Sequence, residues 1–93
     1  MLRSAHMGTT VLDMALNFPA YLAKAVRARM DALSMSELAL HQATLIPRST
    51  LGRRLDGEDF KSTEMKRIAT ALGTTVADLT ADAERIEQAE RAA

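Results

Sequence analysis

Apolar side chains recur along this chain at helical rather than strand spacing. After Pro19, which suits the first turn of a helix, Leu22, Val26, Met30 and Leu33 form a row at intervals of three and four. Lys24, Arg27, Arg29 and Asp31 fill the other faces, and the pattern predicts a helix over Ala20–Leu33. Ser34-Met35-Ser36 ends it, and Ser36 is placed to cap a second helix reaching about Ala43, with Leu40 and Leu38 toward a core. Thr44-Leu45-Ile46-Pro47 interrupts the pattern, because a residue before proline resists the helical region while Pro47 itself suits a helix start. A short third helix follows and ends at Gly57. Leu51 and Leu55 mark its buried face, and at about 100° per residue Ser49 and Arg53 lie roughly opposite.

Phe60 is expected to turn back into the core. Lys61 or Ser62 then precedes a fourth helix, Thr63–Leu72, whose apolar positions are Met65, Ile68, Ala69 and Leu72 and whose stop is Gly73. Thr74 or Thr75 caps a fifth helix through Val76 and Leu79, a row that can continue through Ala83 and Ile86 into a fraying end. Upstream, Val11–Leu16 is apolar on most sides and predicts a short extra helix covering the core or a partner. Residues 1–8 read as a cloning-derived or disordered leader, since His6-Met7 is what CATATG encodes before a start. β-branched residues never alternate over a run, so no sheet is expected. The organisation is then all-α: one domain over residues 9–80 and an acidic helical tail over 81–93.

Composition narrows the function classes. A chain of 93 residues has room for one core. Without cysteine there is no disulfide or thiolate metal site, and His6 and His41 are too far apart to suggest a ligand pair. The apolar stretch Val11–Ala25 is broken by Asp13, Asn17, Pro19 and Lys24, which argues against a membrane span, and a cytoplasmic protein fits best. No Ser/His/Asp set, phosphate-cradling glycine loop or plausible carboxylate pair points to an enzyme, and no cofactor is implied. Net charge is zero, but its distribution is uneven. From Asp78 onward five acids face two bases, leaving ten bases against seven acids before it, with Arg48, Arg53 and Arg54 close together. Local positive charge is what phosphate contact requires.

A helix, a tight turn and a second short helix bearing Arg, Ser and Thr on its exposed side have a direct physical use. Such a helix fits the major groove of B-DNA, where arginine can pair bidentately with guanine. Met35–Gly57 resembles the helix-turn-helix of the lambda-repressor-like family, the Cro and XRE type of bacterial and phage regulators. The resemblance rests on Met35-Ser36 opening the second helix, Leu40 as its core leucine, Ile46 in the turn, Arg48-Ser49-Thr50-Leu51 opening the recognition helix, and Gly57 closing it. Glu64–Gly73 is similar to the family's fourth helix, Val76–Leu79 to its fifth, and Val26–Met30 to its first, so the match covers about residues 22–80. His41 stands where a small residue is usual, Leu45 where the turn glycine is usual, and Glu37 where many members carry a phosphate-binding glutamine.

The resemblance implies a lambda-repressor-like bundle of about five short helices, plus the N-terminal helix and a C-terminal extension. It also implies a repressor of the phage immunity-repressor or Cro kind that reads a double-stranded operator with the helix Pro47–Asp56. By position, Arg48, Ser49 and Arg53 would face bases and Gly52 would let the backbone approach. Thr50, Arg54 and Lys61 would contact phosphates, although Arg54 could instead pair with Asp31 or Glu58. One such helix reads few base pairs, so a homodimer is expected, through the stripe Val76, Leu79, Ala83 and Ile86 or through Val11–Phe18. The alternative is an antitoxin that holds a partner protein with its acidic tail and represses its own promoter.

Overall fold

A computed structural model of the chain describes the backbone of residues 2–92 and the side chains of residues 17–92. Five helices follow one another: α1 (Leu2–Ala32), α2 (Glu37–Thr44), α3 (Arg48–Leu55), α4 (Ser62–Ala71) and α5 (Val76–Ala92), with no strand among the described residues. None of these helices is long and apolar enough to cross a membrane.

The ends of the elements follow their local chemistry. The Ser36 hydroxyl accepts the Ala39 N–H at 3.1 Å and caps α2, and the Thr75 hydroxyl accepts the Asp78 N–H at 3.0 Å at the head of α5. Helix α1 closes through Ser34 at φ 53, with the Met35 N–H returning to the Met30 carbonyl at 2.8 Å. Gly73 at φ +69 ends α4, and the Thr74 N–H reaches the Ala69 carbonyl at 2.9 Å.

Val26, Met30, Leu40, Ile46, Leu51, Leu55, Met65, Ile68, Ala69, Leu72 and Leu79 form one buried core, with Phe60 packed against its edge. Helix α1 supplies Val26 and Met30 to this core, and Ala23 and Ala25 beside them are buried as well. Helix α5 runs antiparallel to α1, as the pairs Arg29–Asp82 (2.8 Å) and Lys24–Glu90 (2.6 Å) show.

Four expectations are corrected. The separate helix expected at Val11–Leu16 is not a distinct element, because α1 continues through Pro19. An interior proline removes one hydrogen bond and disfavours helix by about 3 kcal/mol, and packing of the following turns against α5 and α3 offsets that locally. The side chains of Val11–Leu16, and those of the residues 1–8 expected as a leader, lie outside the described set; Phe18 is half-buried. Second, the stripe expected to join two copies is turned onto α1: Leu79 and Ala83 are fully buried, and Val76 and Ile86 are half-buried. Third, α5 is helical as far as Ala92, where a fraying end was expected. Fourth, Leu33 and Leu38 are exposed at 53% and 44%, because the core is already filled from α1 and α2 by Met30 and Leu40.

Candidate functional site

Helix α3 is anchored on one side and open on the other. Leu51 and Leu55 are buried, while Arg48, Ser49 and Arg53 are exposed and Thr50 and Gly52 are half-buried. Its placement relative to α1 comes from a residue that reading the sequence missed. Arg27 of α1 donates from Nε to the Leu55 carbonyl at 3.1 Å and stands 3.5 Å from Asp56, closing the C-terminal end of α3. The chain then reverses through Gly57 at φ +110, where an added Cβ would lie 3.6 Å from that of Ala20. A side chain there is strained by its backbone angle as well as brought against α1.

The other end of α3 is set by an unusual connection. Leu45 has φ 61 and ψ 18 and is 76% exposed, a left-handed leucine with little burial to compensate a strain of roughly 1–2 kcal/mol. Four hydrogen bonds hold the turn around it. The Leu45 N–H reaches the His41 carbonyl at 2.8 Å, and His41 Nδ1–H donates to the Ile46 carbonyl at 2.6 Å. The Thr44 hydroxyl accepts the Ile46 N–H at 3.3 Å while donating to the Leu40 carbonyl at 2.8 Å. His41 and Leu45 are thus joined in one bonded turn, and buried Ile46 pins it to the core. Pro47 precedes α3 at the N-cap and supplies no side-chain hydrogen bond to the first-turn amides.

Arg54 is the correction at this site. The expectation was a sideways reach to phosphate, but its side chain is only 9% exposed and is committed to two carboxylates. Nε and one Nη donate to Glu64 at 2.7 and 3.3 Å, and the other Nη donates to Glu58 at 2.5 Å. The hydrogen bond from Arg54 holds the Glu64 carboxyl below its usual range; burial opposes this, and the Lys61 backbone N–H at 2.9 Å adds to it. Withdrawing Arg54 to serve a ligand would leave Glu64 buried without its partner, so Arg54 ties α3 to α4. Of its two anticipated partners, Glu58 is found and Asp31 is not. Glu64 was legible only as the third residue of a capping pattern after Lys61.

Arg48 forms no ion pair among the described residues, whereas Arg53 stands 3.4 Å from Glu58. Lys61, whose backbone leads α4, is exposed. Asp56, Glu58 and Asp59 crowd the C-terminal end of α3, leaving the unopposed charge at its N-terminal end. The acidic tail spends Asp82 and Glu90 on Arg29 and Lys24 of α1. No group of three metal-ligating side chains is found among the described residues. Compared with protein-family models, curated proteins and solved structures, the chain matches none.

Proposed function

We propose that the protein is a cytoplasmic, sequence-specific DNA-binding repressor of the phage immunity-repressor or Cro kind. In this reading α2 and α3 form a helix-turn-helix within a lambda-repressor-like arrangement, and α3 lies in the major groove. The outward face of α3 carries the proposal. Arg48, Ser49 and Arg53 stand exposed on a helix whose leucines anchor it inward. Guanidinium groups so placed suit guanine N7 and O6, the uncapped first-turn amides suit a phosphate, and Thr50 and Lys61 flank them. Binding represses by covering the operator.

Two copies would act together, each reading one half-site. With the α5 stripe taken up by α1, the other segment expected to pair, Val11–Phe18, is the proposed one; the side chains of Val11–Leu16 lie outside the described residues. Helix α5 reaches back along α1 to Lys24, which Glu90 meets, and the α1 backbone continues beyond that level.

Gly52 gives the test. Among the described residues, and apart from its chain neighbours and the backbone of its own helix, nothing lies within 4 Å of a Cβ added there, so no packing seen there requires a glycine. In a helix interior alanine is more favourable by roughly 0.5–1 kcal/mol. Gly52→Ala should therefore melt at a higher temperature, and it should bind its preferred duplex about tenfold more weakly because the methyl stands where DNA approaches. A stabilised variant that binds as tightly as the parent would take Gly52 out of the interface.

A further inference from the structure

We propose that Glu58 is a positioning residue for Arg53, holding its guanidinium by Nε so that both Nη groups are presented outward as a ready fork for a guanine edge. The proposal rests on the DNA-binding reading of α3 and assigns a specificity determinant within it.

The Arg53 Nε stands 3.4 Å from the Glu58 carboxylate, and among the described residues its Nη groups have no partner. An isolated ion pair between two half-exposed side chains would fix little. Here the acid is itself held. Its carboxylate accepts from the Arg54 Nη at 2.5 Å, and its backbone N–H donates to the Arg53 carbonyl at 3.1 Å. Arg54 in turn is locked on Glu64, which the Lys61 backbone N–H holds in place. Alternating charges thus run from the α3–α4 interface to the outer face of α3: Glu64, Arg54, Glu58, Arg53.

Two consequences act in the same direction. A guanidinium already oriented loses less side-chain freedom when it pairs with a base. A carboxylate beside it repels phosphate, which weakens contacts that carry no sequence information. Glu58 therefore widens the gap between the preferred duplex and any other.

The test is Glu58→Gln in the full chain, which keeps Arg54 paired with Glu64 and hence keeps the fold. Affinities are measured for the duplex selected by the parent chain and for random duplex, and the Arg53 Nε–Hε group is followed by 15N relaxation without DNA. The ratio of the two affinities is expected to fall about tenfold or more, with random-duplex binding strengthened and the Arg53 side chain more mobile. An unchanged ratio, or an Arg53 as mobile in the parent as in the variant, overturns the assignment. The two levels separate cleanly. If the parent prefers a sequence and Arg53→Ala lowers that preference but Glu58→Gln does not, Glu58 alone is wrong. If the parent has no sequence preference, the reading of α3 fails and the assignment goes with it.

Discussion

Arg48→Ala is expected to lower affinity for the preferred duplex by roughly 10- to 100-fold while leaving thermal unfolding unchanged. Arg48 opens α3 and is exposed, and its removal breaks no ion pair among the described residues. It is also the cationic side chain of α3 farthest in sequence from Asp56, Glu58 and Asp59, and its charge is undivided. Anisotropy of a labelled duplex checks the effect. The loss should be much smaller on random DNA, where an arginine supplies one phosphate contact among several. Equal losses on both duplexes would mean that Arg48 touches no base.

Arg54→Ala is expected to act on folding instead. Its guanidinium bridges α3 and α4, and truncation leaves the Glu64 carboxylate, 13% exposed, without the partner that compensates its burial. Removing one member of a buried pair is far more damaging than replacing both, so the thermal midpoint should fall by roughly 10 °C or more, and Arg54→Met/Glu64→Gln should recover much of it. The same pair predicts the acid response. Because the folded Glu64 carboxyl titrates below its ordinary value of 4.5, its contribution is full above about that pH. It is lost as pH falls from there through the lower folded value. Glu64→Gln should flatten this part of the acid-denaturation curve, which circular dichroism follows directly. An Arg54→Ala variant as stable as the parent would show that the Arg54–Glu64 pair does not hold α3 to α4.

Much of the bundle was readable from local chemistry, and the exceptions share a cause. Ser36, Gly73 and Thr75 announce helix ends by caps that depend on neighbours within a few residues, so α2, α4 and α5 begin or end close to where the pattern put them. Leu51 and Leu55 against Ser49 and Arg53 is likewise a matter of helical angle alone. Pro19 misled because its local preference for a helix start was overridden by what the rest of α1 packs against, a fact written in α5 some sixty residues away. The stripe on α5 was correctly seen as apolar, but periodicity does not say whether its cover is another copy or another helix of the same chain. For Leu38 the limit was similar, since one turn of α2 offers more apolar positions than the core accepts. At the candidate site, exposure of Arg53 followed from spacing, whereas the outward place of Arg48 was implied by the resemblance and not by helical angle. The fate of Arg54 depended on Glu64, brought against it by the reversal at Gly57.

The central claim, that the outer face of α3 reads DNA, is tested most directly by selecting bound duplexes from a random pool with the full chain at two salt concentrations. The account predicts enrichment of two-fold symmetric sites with half-sites about one helical turn apart, and the same sequence at both salts because base contacts persist when phosphate contacts are screened. A pool that remains random at both concentrations would contradict it.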